Sequence, residues 1–104
     1  AIISISEDIW NLSYRPESNR VIILLTDEAG QSFYNPMVTK EEVATSAINN
    51  SFIVHVFNES RFYLDFDIIV RNSANYHTLE SNPNATSVFT SLRNIFLNIC
   101  PPAP

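Results

Sequence analysis

The sequence predicts an α/β fold of the doubly wound, Rossmann-like type, in which a parallel sheet is flanked by helices. Residues 20–26 contain five large aliphatic residues in a row, which is typical of a strand buried on both faces of a parallel sheet. A helical pattern over residues 39–49 follows, and a second apolar run at residues 51–57 comes directly after it. A strand, a helix and a strand of these lengths imply parallel neighbours joined by a right-handed crossover.

The segment before the first strand has two possible interpretations. Residues 3–6 alternate between apolar and polar side chains, as a strand does. Four aliphatic residues share one face of a helix instead: Ile2, Ile5, Ile9 and Leu12. We favour a helix that ends before Pro16.

The helix over residues 39–49 is predicted from its start and from its buried face. Thr39 with Glu42 three residues later forms a capping box, the usual signal for a helix N-terminus. Four apolar residues form its inward face: Val43, Ala44, Ala47 and Ile48. Because the second strand follows at once, this helix forms the crossover between the two strands.

Three further elements are predicted after the second strand. Residues 62–71 carry apolar side chains at helical spacing, and residues 76–80 resemble a short third strand. A strongly amphipathic last helix begins near Asn84 or Thr86. Its apolar face consists of Val88, Phe89, Leu92, Ile95, Phe96 and Ile99. We interpret the aromatic residues Trp10 and the phenylalanines as core.

The two histidines, His55 and His77, fall in predicted strands. Buried histidines with satisfied hydrogen bonds are the favoured interpretation, and the two are too isolated to propose a metal site.

Composition limits the classes of function. The chain has 104 residues, which suffice for one small domain, and we assign residues 1–99 to it and residues 100–104 to the start of a proline-rich linker. A net charge of -5 without any run of basic residues disfavours a nucleic-acid partner. Membrane insertion is not expected either, because no apolar run approaches the roughly 20 residues of a spanning helix.

Four glycosylation sequons and one cysteine favour an extracellular or cell-surface location. The sequons begin at Asn11, Asn49, Asn58 and Asn84. We expect a glycan on at least one of them, first of all Asn58 or Asn84, which are predicted to lie in loops. The single cysteine, Cys100, is interpreted as a disulfide partner of a cysteine outside this sequence, or as a free thiol.

Asp27 is the main candidate functional residue. It directly follows the first strand, and ligands of open α/β sheets bind beyond the carboxyl ends of the strands. Its carboxylate could help to hold a hard divalent cation such as Mg²⁺, or it could be a turn residue that accepts hydrogen bonds from the loop backbone. The neighbouring Glu28 is interpreted as a solvated loop residue.

An aspartyl-phosphate enzyme would also place its nucleophile at the end of a strand. That chemistry needs a lysine on a neighbouring loop, and the only lysine, Lys40, begins a helix. Asp65 and Asp67 are two residues apart and so lie on different sides of a helix, which disfavours paired acid and base chemistry. We therefore expect that the protein is not an enzyme.

The segment RVIILLTDE, residues 20–28, resembles the fourth core strand of the von Willebrand factor type A domain, the integrin inserted-domain type, with that strand's terminal Thr-Asp. A helix that ends about 25 residues further on, the strand FIVHVF, a helix and the short strand YHTLE follow in the order of that family. The closing amphipathic helix ends at a cysteine, as in several extracellular members. The resemblance covers roughly residues 1–99 but only the C-terminal half of the family's domain.

This resemblance implies an extracellular protein-protein interaction or adhesion domain, whose ligand is a matrix or cell-surface protein bound through Mg²⁺ or Mn²⁺. Metal-dependent members carry Asp-x-Ser-x-Ser after their first strand, a Thr in a second loop and an Asp after their fourth strand. Of these three loops only the last is matched here, by Asp27, so we expect a fragment whose metal site is incomplete and which holds no cofactor alone. A metal-free α/β interaction module remains the alternative.

Overall fold

The computed structural model describes residues 2–9, 12–15, 19–32, 36–79 and 84–99. The helices and strands of these residues alternate along the chain as an α/β fold. In order they are α1 (Ile2–Ser6), β1 (Arg20–Leu25), α2 (Lys40–Asn49), β2 (Phe52–Asn58), α3 (Tyr63–Val70), β3 (Tyr76–Thr78) and α4 (Ala85–Ile99). Short 3₁₀ turns at Ser60–Phe62 and Ser73–Asn75 lead into α3 and β3.

The strands form one parallel sheet in the order β1-β2-β3. Arg20 pairs with Phe52 at the start of β1, and Leu25 pairs with Phe57 at its end. On the other side of β2, Phe57 pairs with His77 of β3. The parallel pairing predicted for the first two strands is therefore confirmed, and the architecture is compatible with a Rossmann-like fold.

Helix α2 begins as its sequence predicts. Thr39 is the N-cap residue, and its hydroxyl accepts a hydrogen bond from the backbone N–H of Glu42 at 3.2 Å. The same hydroxyl donates to the Glu42 carboxylate, also at 3.2 Å. At the other end, Arg20 of β1 donates to the carbonyl of Asn50 at 3.1 Å, so the basic residue that opens β1 also fixes the C-terminus of α2.

The main core lies on one face of the sheet. Strand β2 contributes Phe52, Val54 and Val56 to it, which lie on the same face because side chains alternate along a strand. Helices α1, α2 and α3 pack against this face with the remaining buried core residues: Ile2, Ala44, Ala47, Phe66, Ile69 and Val70, together with Ile22 and Tyr76 of the outer strands. Between α1 and α2, the buried hydroxyls of Ser6 and Ser46 form a 2.6 Å hydrogen bond.

Strand β1 is not buried on both faces, contrary to the prediction from its aliphatic run. Only Ile22 of this strand is buried, and Leu25 is 56% exposed. The physical reason is that β1 is the edge strand of the described sheet and that the face opposite to the main core is only partly covered. On that second face of β2, Ile53 is 47% exposed whereas Phe57 is 1% exposed.

The helix favoured for the opening segment is confirmed, but α1 ends at Ser6, so the predicted extension of its apolar face through Ile9 and Leu12 is wrong. Asp8 has a φ of 53°, a left-handed conformation, and its carboxylate accepts hydrogen bonds from the backbone N–H groups of Leu12 and Ser13. Such local side-chain bonds compete with the helical ladder. As a result Ile9 and Leu12 are exposed rather than aligned on a buried helical face.

Two helices expose residues that were predicted to face the core. Ile48 of α2 is 47% exposed. In α4 only Ile95 is buried, while Phe89 and Phe96 are exposed, so the interpretation of all phenylalanines as core is wrong. A hydrogen bond from the side chain of Asn19 to the carbonyl of Ile99 joins the C-terminus of α4 to the segment before β1. Trp10 lies outside the described residues.

Candidate functional site at the carboxyl edge of the sheet

The carboxyl ends of β1 and β2 lie side by side, because the two strands are parallel and in register up to the Leu25–Phe57 pair. One more hydrogen bond continues the ladder, from the N–H of Thr26 to the carbonyl of Phe57 at 3.0 Å. Asp27 therefore stands immediately beyond the sheet, at the edge where open α/β sheets bind their ligands.

The Asp27 carboxylate is exposed and accepts no hydrogen bond from the residues that the structure describes. The residue before Asp27 accepts the hydrogen bond of a loop donor instead: the Thr26 hydroxyl accepts from the backbone N–H of Glu28 at 3.2 Å. Such Thr side-chain turns satisfy a loop donor locally. The alternative role for Asp27, as the turn residue that satisfies loop donors, is taken by Thr26.

Asn58 fixes the loop that carries Asp27. It is the last residue of β2, and its side chain is fully buried. The amide nitrogen donates to the carbonyl of Glu28 at 2.9 Å, and the amide oxygen accepts from the N–H of Glu59 at 2.8 Å. The buried Asn58 amide thus hydrogen-bonds the backbone of the loop after β1 and of the loop after β2, which ties the backbone beside Asp27 to β2.

Helix α3 holds the same loop from a second direction. The carboxylate of Asp65 accepts a hydrogen bond from the N–H of Gly30 at 2.8 Å. A Cβ at Gly30 would lie only 3.2 Å from the Asp65 Cβ, so the glycine permits this close approach. Asp65 and Asp67 thus have separate partners, as their predicted positions on different sides of a helix imply.

A cavity of about 980 Å³ lies next to this loop. It is lined by apolar residues of β1 and α3, including Leu24 and Phe66, and by the polar residues Glu28 and Lys40. Asp27 does not line it. The loop therefore has two sides, one that borders the cavity and one that presents the Asp27 carboxylate to solvent.

Lys40 is bound away from Asp27. Its Nζ lies 2.9 Å from the carboxylate of Asp67 and donates to the carbonyl of Leu64 at 2.6 Å. The hydrogen bond between Lys40 and Asp67 raises the pKa of the lysine and lowers the pKa of the aspartate. The lysine that an aspartyl-phosphate site would need is engaged by α3 instead.

His55 and His77 meet on the face of the sheet opposite to the main core. His55 Nδ1 lies 3.1 Å from His77 Nε2, and the two ring planes are within 24° of parallel, with centroids 5.4 Å apart. The His77 ring also stacks on Phe57 at 4.3 Å. The strand placement predicted for both histidines is confirmed, but their partner is each other, which sequence separation concealed.

Burial lowers the pKa of both histidines, and the neighbouring charge of His77 lowers the pKa of His55 further. The unfolded chain, with pKa values near 6.5, then binds more protons than the folded chain in mild acid. We expect the contribution of the two histidines to the free energy of unfolding to be complete above about pH 6.5. It should fall as the pH decreases from that value through the lowered folded-state pKa values. Urea unfolding between about pH 7.5 and pH 5.5 measures this.

The variant His77→Phe provides the control for this pH dependence. Phenylalanine keeps a ring to stack on Phe57 but removes one titrating group and the charge repulsion on His55. The variant should lose stability less steeply in acid than the parent chain. An identical slope in both proteins would show that the histidine pair does not govern stability in this pH range.

The predicted modification sites differ in their surroundings. The loop placement predicted for Asn58 is wrong, because Asn58 ends β2 and is fully buried, which leaves no room for a glycan. Asn84 is exposed before α4, where its side-chain oxygen accepts from the N–H of Thr86, and Asn49 is exposed at the end of α2. Asn11, Cys100 and the segment 100–104 lie outside the described residues.

Within the described ranges, no group of three or more His, Cys, Asp or Glu side chains is arranged to hold a metal ion. Among the same residues, none of the helices has both the length and the hydrophobicity needed to cross a bilayer. Comparisons of the chain with protein-family models, curated proteins and solved structures gave no match.

The structural role of Asn58, which joins the two loops at this edge, was missed by the sequence reasoning. Its signal in the sequence is a short amide directly after an apolar strand whose parallel neighbour also ends in a polar loop. Such a residue can hydrogen-bond across to the neighbouring loop.

Proposed function

We propose that this chain is the C-terminal part of a von Willebrand factor type A-like domain, which binds a protein ligand outside the cell through a divalent cation. Asp27 is one of the acids that surround the cation. The observation that carries this proposal is the exposed Asp27 carboxylate, which stands beyond the carboxyl end of a parallel strand without a hydrogen-bond donor among the described residues.

The free edge of β1 supports the same proposal. Within the described sheet, β1 pairs on one side only, with β2. A further parallel strand on the open side would end beside β1, and its loop would meet Asp27 at the same edge. In the family that this sequence resembles, the loop with Asp-x-Ser-x-Ser follows the first strand, so strands outside these 104 residues supply the missing ligands.

The chemistry of the site fits a hard cation. Mg²⁺ and Mn²⁺ prefer carboxylate, hydroxyl and water oxygens in an octahedral arrangement, and an acidic side chain of the protein ligand fills the open position. Asn58 and Asp65 hold the loop after Asp27, at Glu28 and Gly30, and the bond from Thr26 to Phe57 holds it before Asp27, so the carboxylate is presented from a fixed backbone. Fixed ligands reduce the entropy that metal binding costs.

A Mg²⁺ titration of the 104-residue chain by calorimetry tests the incomplete site. We expect a dissociation constant in the millimolar range or weaker, because one acid cannot displace enough of the tightly held waters of Mg²⁺. The chain extended by the sequence that precedes Ala1 should bind more tightly. A micromolar constant for the chain alone, or a preceding sequence without Asp-x-Ser-x-Ser, would contradict the proposal.

A metal-free α/β interaction module is the second candidate. The exposed apolar side chains of Leu25, Phe89 and Phe96 favour it, since such residues can pack against a partner protein without a cation. The two candidates differ in their response to a chelator. Binding of a protein ligand that persists in EDTA supports the metal-free module.

A further inference from the structure

The cavity of about 980 Å³ beside the Asp27 loop has an apolar inner wall. Phe66 and Ile69 of α3 form part of this wall and are each 5% exposed, and Val43 of α2 packs against the same core. Pockets that hold drug-sized molecules measure about 300–1,000 Å³, so the volume suits such a ligand. Water gains few hydrogen bonds beside an apolar wall, so an organic molecule should fill this space better than water does.

Hydrogen bonds between separate elements fix the walls of the cavity. The Asp65 carboxylate of α3 accepts from the N–H of Gly30 at 2.8 Å, which anchors the loop that forms one wall. Lys40, at the start of α2, donates to the Leu64 carbonyl of α3 at 2.6 Å, which joins the two helices beside the cavity. Because these bonds exist without a ligand, binding need not order the walls, and less entropy is lost on association.

The charged side chains that line the cavity leave an excess of negative charge. They are Glu28, Lys40 and Asp65. The charge of Lys40 is already compensated by Asp67, whose carboxylate lies 2.9 Å from the lysine Nζ. The half-buried Asp65 carboxylate bonds Gly30 through Oδ2, and its Oδ1 receives no hydrogen bond from the residues that the structure describes. Since a carboxylate can accept several hydrogen bonds, Oδ1 is open to a cationic donor.

We propose that this cavity binds a small organic molecule that has an apolar body and one protonated amine. The body packs on the apolar wall around Val43, Phe66 and Ile69, and the ammonium group donates to Oδ1 of Asp65. An amphipathic molecule with a carboxylate or sulfate end is repelled by Asp65 and Glu28 instead. Asp27 does not line the cavity, so this site does not depend on the cation binding proposed for that residue.

Octylammonium, octanoate and 1-octanol are suitable probes, because they carry the same alkyl chain and differ only in the charge of the polar end. Octylamine is protonated near pH 7, as a lysine side chain is. Each probe is titrated into the 104-residue chain, at concentrations at which it stays monomeric, and the methyl signals are followed by NMR. Octylammonium should shift the Val43 and Ile69 methyl signals until they saturate, and it should bind at least about tenfold more tightly than octanoate.

Ile53 provides the reference signal in these titrations, because it is exposed on the opposite face of the sheet and does not line the cavity. Shifts that begin at Ile53 would show that the probe binds another apolar surface. That outcome, the absence of saturable shifts at Val43 and Ile69, or equal affinity for octanoate and octylammonium would overturn the proposal.

The variant Val43→Phe places a larger side chain in the cavity and should weaken the binding of octylammonium by at least about tenfold. Thr45→Phe is the matched control, since Thr45 lies on the same helix but is exposed and does not line the cavity. This control should bind the probe as the parent does. Equal affinity of Val43→Phe and the parent would contradict a ligand inside the cavity.

The variant Asp65→Asn covers the case in which Val43→Phe does not fold. The asparagine oxygen can still accept from Gly30, but the negative charge is removed. Its preference for octylammonium over octanoate should fall several-fold, while its affinity for 1-octanol stays unchanged. Glu7→Gln, which removes an exposed acid outside the cavity, should keep the preference of the parent. An unchanged preference in Asp65→Asn would overturn the pairing of an amine with Asp65.

Discussion

Replacing Phe57 with alanine should lower the free energy of unfolding by about 3–5 kcal/mol, the usual loss for a large aromatic residue in a core. Phe57 is 1% exposed, and its ring stacks on His77 at 4.3 Å on the face opposite to the main core. The loss is large against the roughly 5–15 kcal/mol that stabilises a typical domain. Urea denaturation followed by circular dichroism measures it.

Ile53→Ala is the matched control for Phe57→Ala. Ile53 lies on the same strand and the same face, four residues earlier, but its side chain is 47% exposed. Its truncation should cost less than about 1.5 kcal/mol, since a half-exposed side chain leaves little cavity. Equal losses in the two variants would show that the second face is not covered more closely at Phe57 than at Ile53.

Asp27→Ala should abolish cation-dependent ligand binding in the domain completed by its upstream strands. The carboxylate is exposed and receives no hydrogen bond from the described residues, so its removal should change the free energy of unfolding by less than about 0.5 kcal/mol. A residue that binds the cation should affect binding but not stability, whereas a structural residue should affect stability. Adhesion in Mg²⁺ and thermal melting of the same preparations measure the two effects.

Glu28→Gln is the control for Asp27→Ala. It changes the adjacent exposed acid, while the Glu28 carbonyl that Asn58 binds is untouched. We expect this variant to adhere as the parent does. Full adhesion by the Asp27→Ala protein would refute the assignment of Asp27 and leave the metal-free module as the better account.

The parallel pairing of β1 and β2 could be predicted from the sequence because the features that predict each element are local. The aliphatic run of β1, the capping box at Thr39 and the apolar run of β2 each define one element, and their lengths permit only a parallel crossover. The position of Asp27 at the carboxyl edge follows directly, since it depends only on where β1 ends.

The burial of the elements was harder to predict. An aliphatic strand predicts that other elements pack on both of its faces, but its burial also depends on neighbouring strands. The described sheet has no strand beyond β1. The amphipathic pattern of α4 likewise shows which side is apolar without showing what packs on it, and Phe89 and Phe96 are exposed. Periodicity shows which face of an element is apolar, whereas burial depends on which other elements pack against that face.

Contacts between side chains of different strands could not be predicted at all. The pairing of His55 with His77 depends on the register of β2 and β3, which a single sequence does not specify. The same holds for Asn58, whose sequon suggested an exposed loop, whereas its buried amide joins two loops. The polar groups that shape the candidate site therefore emerge only once the strands are paired.

The position of Mn²⁺, located by its anomalous scattering in crystals of the chain extended by its preceding sequence, tests the central claim most directly. The proposal predicts one ion beyond the carboxyl end of β1, bound to the Asp27 carboxylate directly or through one water, with its other ligands on loops that precede Ala1. An ion whose ligands and bridging waters exclude Asp27, or an extended domain that binds no Mn²⁺ at this edge, would contradict it.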